Sequence, residues 1–467
     1  MKFFRLLTPL LLVIVAVFCF APAAWAFCGF YVAKADTKLY NKASQVVIAR
    51  DGDGFANTKG ERTVLTMAND FQGEVKDFAM VVPVPTVLQK EQVRVTEPKI
   101  IERLDAFSAP RLVEYFDPDP CAPIANTDWM DARPAPAAAM NEAMKTRRDA
   151  SLGVTVEARF NVGEYDIVIL SAKESGGLET WLQRSGYKIP RGAKQLLKPY
   201  IRSSMKFFVA KVNLDKFEKS GYQFLRPLQI SYQSPKFMLP IRLGMINATT
   251  EQDLIVYILS PQGQAEITNY RTVKIPSDTN VPLFVKDEFG DFYKSMFQTA
   301  YTKENKKVGF LEYAWNMGSC DPCSAEPLTP DELKQAGVFW LDDNSPSDVP
   351  VSPRFRRPFP NSNVFISRLH VRYTRDKFPE DLIFQQTANS EFFQGRYVLQ
   401  HPFQGELKCQ AGREYKRSLP KRFEQEAQTL AKLTNWKIQD IRNKMKLSVG
   451  NLTYSWWENL FSWLGLY

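Results

Sequence analysis

Histidine is almost missing from this 467-residue chain, with His370 and His401 as its only two. A His-rich metal centre is therefore excluded, and any histidine-based acid or base must be one of these two residues. The usual catalytic signatures are missing as well. There is no G-x-S-x-G elbow, no H-E-x-x-H, and no glycine loop ending in lysine to cradle phosphate. Beyond residue 26 no run is apolar and long enough to cross a bilayer. Cysteine is sparse, six in all, so the fold does not have to be built on disulfides.

What is present begins with an export signature. Lys2 and Arg5 precede eleven uninterrupted apolar residues from Leu10 to Phe20, and Ala24-Trp25-Ala26 supplies small residues at a cleavage site. Such a helix is about half the length a bilayer core needs, so residues 1–26 read as a cleavable signal peptide. Cleavage after Ala26 leaves 441 residues with a formal charge lowered from +9 to +7. That length supports two ordinary cores. The expected location is periplasmic or extracellular.

Charge is concentrated late in the chain. Residues 413–446 hold ten basic and four acidic side chains. After export nucleic acid is not an expected partner, which leaves anionic lipid, another envelope polymer or an acidic protein.

Hydrophobic periodicity predicts strands over Gln45–Arg50, Arg62–Ala68 and Phe78–Val82, with Pro83 and Pro85 expected to end or edge the sheet. Lys99–Phe116 reads as broadly helical with a break near Pro110. Residues 122–151, rich in Ala and Pro, read as an excursion from a core spanning 27–340 that holds one or two β-rich modules. Strands are expected at Val154–Phe160, Tyr165–Leu170, Lys206–Val212, Leu228–Tyr232, Met238–Leu243 and Leu254–Leu259. A helix is expected over Gly192–Arg202. Residues 341–361 read as a linker. The C-terminal part, 362–451, begins with a strand in which Arg368, His370 and Arg372 alternate with Leu369, Val371 and Tyr373, predicting a half-buried strand with a basic outer face. One long basic helix is expected after Pro420, with Phe423, Ala427, Leu430, Ile438, Ile441 and Met445 on its buried side. Strands and helices without regular alternation predict an α+β fold.

Several segments share a likeness: Phe27-Cys28-Gly29-Phe30-Tyr31-Val32-Ala33-Lys34-Ala35-Asp36, Phe78-Ala79-Met80-Val81-Val82-Pro83-Val84-Pro85, Ala109-Pro110-Arg111-Leu112-Val113-Glu114-Tyr115 and Cys320-Asp321-Pro322-Cys323. With these the chain resembles a family of exported bacterial proteins defined only as a domain of unknown function. The resemblance implies export and carries no site residues.

Export leaves five cysteines, Cys28, Cys121, Cys320, Cys323 and Cys409, as disulfide candidates, the simplest count being two bridges and one thiol. Cys320 and Cys323 form a C-x-x-C pair, read first as a structural disulfide. As a redox pair it would make the protein a periplasmic thiol-disulfide oxidoreductase. His370 and His401 read as ordinary polar residues, and no metal or cofactor is expected. Carboxylate pairs such as Glu114 with Asp117 leave a hydrolase as a further alternative. The leading expectation is a non-enzymatic envelope protein with a binding or structural role. Its tail, 452–467, carries Trp456, Trp457, Phe461 and Trp463 at helical spacing and reads as a membrane-surface contact.

Overall fold

The computed structural model describes residues 30–33, 40–41, 44–52, 61–68, 71–72, 78–122, 154–185, 187, 192–220, 225–246, 251–319, 321, 325–341 and 363–449. Residues 1–26, read as a signal peptide, the 341–361 linker apart from Leu341, and the tail at 452–467 lie outside them. So does residue 123 onward of the Ala/Pro-rich excursion.

The fold is α+β, as the mixed runs predict. Its centre is a nine-stranded sheet. From one edge the order runs Arg271–Lys274, Val308–Asn316, Phe365–Tyr373, Gln252–Ser260, Ser44–Arg50, Glu61–Ala68, Leu228–Ser234 and Val93–Val95, with Phe393–Gln394 paired to Val308–Asn316. Two neighbouring pairs are parallel, Gln252–Ser260 with Ser44–Arg50 and Arg271–Lys274 with Val308–Asn316. All nine residues of Gln252–Ser260 are buried. Such a strand reads as a near-continuous apolar run because both of its faces are covered.

A five-stranded antiparallel sheet lies against one face, in the order Phe30–Ala33, Phe78–Val84, Lys206–Val212, Tyr165–Ala172, Val154–Val162. The period of two divides its side chains cleanly. Met80, Val82, Ile167, Ile169 and Phe208 join Val46, Leu65, Val256 and Leu369 of the large sheet in one core. Val81, Leu170, Phe207 and Val209 point the other way and pack with Leu178, Leu182, Leu197 and Tyr200 of the helices Ser175–Arg184 and Ala193–Arg202. The far face of the large sheet is covered by Lys99–Ser108 and Pro330–Gln335 at one end. At the other end it is covered by Phe289–Lys303, Gln410–Thr434 and Ile438–Val449. The layers therefore run helix, sheet, sheet, helix.

Several expectations need correction. Lys99–Ser108 is helical, but Arg111–Phe116 is a strand, pairing in parallel with Arg396–His401. Pro110 disfavours helical geometry in the residue before it and separates the two elements. Only Met238–Leu239 of the expected 238–243 strand is extended, since Arg242–Ile246 is a 3₁₀ turn. The long C-terminal helix is two helices. Gln410–Thr434 starts ten residues before Pro420, and Asn435 at φ 61° ends it in the left-handed region that Asn tolerates. Pro83 sits inside Phe78–Val84 opposite Phe207 of Lys206–Val212, and among the described residues no strand pairs with it on the other side.

Cys121 and Cys409 form a disulfide with Cα atoms 5.8 Å apart and 288 positions between them. Cys409 also caps the Gln410–Thr434 helix, its sulfur accepting from Gly412 N at 3.1 Å. The bridge ties the end of the Arg111–Phe116 strand to the helix covering it. Replacing both cysteines by Ser is expected to lower the unfolding free energy by about 2–4 kcal/mol, read from urea melts at unchanged far-UV circular dichroism. A double variant as stable as the parent would refute the bridge.

Candidate functional site

The most concentrated group of ionisable side chains lies on the Phe365–Tyr373 strand. Alternation puts Arg368, His370 and Arg372 on one face. This strand is not half-buried, because every residue from Phe365 to Val371 is buried together with Tyr373. Its basic face lies beneath the Phe289–Lys303 helix and is matched by carboxylates from both neighbouring strands. Asp253 sits directly across from Arg372 in the register with Gln252–Ser260. Glu312 comes from the other side, at a bulge where the register slips between Leu311 and Tyr313. Alternation from Leu311 turns Glu312 to the basic face, and the bulge brings Tyr313 to that face beside it. Here the carboxylate lies between two cations, accepting from Arg368 Nε at 2.6 Å and lying 2.7 Å from His370 Nδ1.

The network continues outward. His370 Nε2 lies 3.1 Å from Asp253 Oδ1, and Arg372 donates to both oxygens of Asp253 at 2.7 and 2.8 Å. Arg368 Nη1 donates to Asp105 Oδ1 at 2.6 Å, which also accepts from the Tyr257 hydroxyl at 2.9 Å. The Tyr293 hydroxyl donates to Glu312. Phe297 stacks on the imidazole at 4.0 Å between centroids and lies 4.8 Å from the Arg372 guanidinium.

Burial alone would raise the Glu312 carboxyl, but the charges of His370 and Arg368 outweigh it and bring the pKa to about 2. Burial would lower His370, yet the Glu312 charge and the hydrogen bonds to Asp253 and Glu312 raise it. Asp253 is likewise held well below the carboxylate range, because its bonds to His370 and Arg372 overcome its burial. Both nitrogens of this imidazolium face carboxylates, so neither is free to accept a proton. Three cations and three carboxylates cancel, with the Phe297 ring over His370 and Arg372 and the half-exposed Asp105 at the open end. This arrangement holds a sheet to its helix layer.

A more open place lies where the layers part. A cleft of about 560 Å³ runs between the Ala193–Arg202 helix and the segments 235–242 and 380–385. That volume is in the range of small-ligand sites. Its apolar walls include Met205, Phe237, Met238 and Phe384, and its mouth includes Ile383, which is 45% exposed. Lys236 and Arg242 are balanced by Glu380 and Asp381. Asp381 Oδ1 accepts from the Tyr200 hydroxyl at 2.6 Å and from the backbone N–H groups of Ile241 and Arg242 at 2.9 and 3.2 Å. Burial nevertheless raises its pKa. Arg242 Nε stands 3.7 Å from Asp381 Oδ2, too far for a hydrogen bond, and is buried with no acceptor.

A third group lies under the C-terminal helix. Asp117 accepts from Tyr415, from Arg422 Nη1 at 2.6 Å and from Gln400 at 2.6 Å. Glu426, buried 3.6 Å from Arg422 Nε, has its pKa pushed up to about 7 by burial, with Arg422 opposing. Glu114 pairs separately with His401 at 2.9 Å and Lys286 at 2.7 Å, so Glu114 and Asp117 do not act as a pair. His401 is the last residue of the Arg396–His401 strand.

Of the sequence-predicted site residues, Cys121 and Cys409 are brought together. Cys28, Cys320, Cys323, Trp456, Trp457, Phe461 and Trp463 lie outside the described residues. Asp253, Glu312 and the cleft went unnoticed in the sequence. The only signal for the first two was an acidic residue inside each of two apolar strands, and nothing marked the cleft.

Residues 22–385 match a bacterial family described as "Uncharacterized protein conserved in bacteria (DUF2330)". No curated protein and no solved structure matches the chain.

Glu312→Gln leaves Arg368 and His370 short of a buried counter-charge and is expected to cost about 3–5 kcal/mol in urea melts at pH 7. A loss below about 1 kcal/mol would mean the network is not closed. The pH dependence has two opposing parts. The Glu312 carboxyl, ordinarily near 4.5 and lowered to about 2, stabilises the fold above pH 4.5 and loses that contribution as pH falls towards 2. Glu426, raised from 4.5 to about 7, favours the fold while protonated, and that contribution fades as pH climbs from 4.5 through 7. Glu426→Gln should therefore melt later than the parent at pH 8 and together with it at pH 4.

Proposed function

We propose that this chain, which belongs to the DUF2330 family of bacterial proteins, is an exported envelope protein that binds a partner and does not catalyse a reaction. The observation that carries the reading is the cleft of about 560 Å³ between the layers, apolar in its walls and balanced in its charges. A charge-balanced, apolar-walled groove suits an apolar segment of a partner protein better than an ion, because peptide dipoles can meet both signs of charge while the side chains bury. Export is supported by the Cys121–Cys409 bridge, since disulfides persist in oxidising compartments. The charged networks support a non-enzymatic role, because their one buried imidazole has a carboxylate at each nitrogen.

A contact with the membrane surface is a second element of the proposal. Arg413, Lys416, Arg417 and Lys421 are exposed on the Gln410–Thr434 helix, and among the described residues none forms an ion pair with a carboxylate. Each such cation near an anionic surface contributes about 1 kcal/mol, and the aromatic tail at 452–467 would add interfacial anchors.

Protein recovered separately from membrane and soluble fractions tests these points together. The intact mass of the native and alkylated forms should begin at Phe27 and show Cys320 and Cys323 unreactive to alkylation. Rapid alkylation of that pair would favour thiol-disulfide exchange. A photo-crosslinker at Ile383 should capture a partner that Met238→Arg abolishes, whereas equal capture from exposed Val156 would sink the cleft. Deleting 452–467 should release the protein from membranes at unchanged melting temperature. Loss of stability without release would overturn the membrane contact.

A further inference from the structure

We infer that a pocket of about 220 Å³ at the outer edge of the large sheet binds a tetrahedral oxyanion, free or as the terminal group of a phosphate ester, with Arg62 and Arg94 as its ligands. The pocket is separate from the cleft, and neither argument depends on the other.

The two arginines come from strands that both pair with Leu228–Ser234, Arg62 from Glu61–Ala68 and Arg94 from Val93–Val95. The last turn of the Pro330–Gln335 helix and the segment after it close the pocket, bringing Lys334 and Phe339 to its wall. Each guanidinium is held through its Nε. Gln229 is buried, and its amide nitrogen donates to Thr66 Oγ1 at 2.6 Å and to the Gln335 carbonyl at 3.0 Å. Its oxygen is thereby turned to accept from Arg94 Nε at 2.5 Å. Arg62 Nε donates to Ser231 Oγ at 3.2 Å, and the Phe339 ring lies 4.4 Å from that guanidinium.

These contacts fix both guanidinium groups and, among the described residues, leave most of their terminal nitrogens unengaged. Arg94 Nη2 makes one long bond, 3.3 Å, to the Lys334 carbonyl. Among the described residues no carboxylate pairs with either arginine, and the only acidic side chain at the pocket is Glu91. Holding two like charges together without a counter-ion is unfavourable, and the nearby Arg62 charge, after burial, lowers the pKa of Arg94. An oxyanion between two preoriented forks removes that repulsion and accepts bidentate hydrogen bonds from planar donors.

The test uses the full mature chain, with inorganic phosphate, phenyl phosphate and, as the control for ionic strength, sodium chloride. Calorimetric titration should show saturable binding of phosphate or phenyl phosphate that chloride does not reproduce. The tighter of the two tells whether the free ion or an ester is the ligand. Arg62→Gln and Arg94→Gln should each weaken binding about tenfold or more, the loss expected for a charge-assisted hydrogen bond. Glu91→Gln should tighten it, an effect that no folding defect would imitate. Binding unchanged in both arginine variants, or matched by chloride at equal ionic strength, would overturn the inference.

Discussion

The buried Glu312 carboxylate between Arg368 and His370 is the interaction on which the rest of the architecture depends. A sheet covered on both faces cannot expose the charges its strands carry, and the Phe365–Tyr373 strand carries three basic residues on one face. Burying even one of them unpaired would cost several kcal/mol. Plain alternation from Leu311, which faces the inner core, turns Glu312 to this basic face, and the slip between Leu311 and Tyr313 brings Tyr313 to the same face beside it. The Glu312 carboxylate then reaches Arg368 and His370 together. With the charges cancelled, the Phe289–Lys303 helix can lie flat on this face and present Phe297 to the imidazole.

That closure leaves the open features elsewhere. The helical layer ends where the large sheet meets Val93–Val95, and the pocket holding Arg62 and Arg94 lies at that edge. The five-stranded sheet covers the opposite face only in part, and the cleft lined by Arg242 and Asp381 lies where its helix Ala193–Arg202 overhangs the segment around Leu382. The features able to meet a partner are thus at boundaries between layers, while the dense ionic chemistry is at their centre.

Much of the strand framework was legible in the sequence because its signals are local. Val46, Val47 and Ile48, or Leu254 to Leu259, are short and rich in β-branched residues, which favours buried strand, and both are buried strands. The fate of the basic strand was not legible. Arg368, His370 and Arg372 have the alternation of a solvated face, and only the carboxylates of Asp253, more than a hundred positions away, and Glu312 make it an interior one. Long-range charge pairing leaves no periodic trace. The helix break at Asn435 was missed for the opposite reason. The apolar spacing of Phe423, Leu430 and Ile441 runs smoothly through it, while the left-handed conformation of a single Asn reverses the chain.

The family match ends at residue 385, yet the packing does not. Tyr397 and Leu399 belong to the same apolar core as Phe292, Met296 and Phe310, and Phe423, Leu430, Ile441 and Met445 close it. Arg111–Phe116, inside the matched region, has Arg396–His401, outside it, as a strand partner. The disulfide crosses the same boundary from Cys121 to Cys409. Without residues 396–449 the Phe289–Lys303 helix would expose its outer apolar side to water, and Asp117 would lose all three of its side-chain donors. The C-terminal helices therefore complete this fold from within, and they place the cationic ridge of Arg413, Lys416, Arg417 and Lys421 on a rigid element joined to the core by a covalent bond.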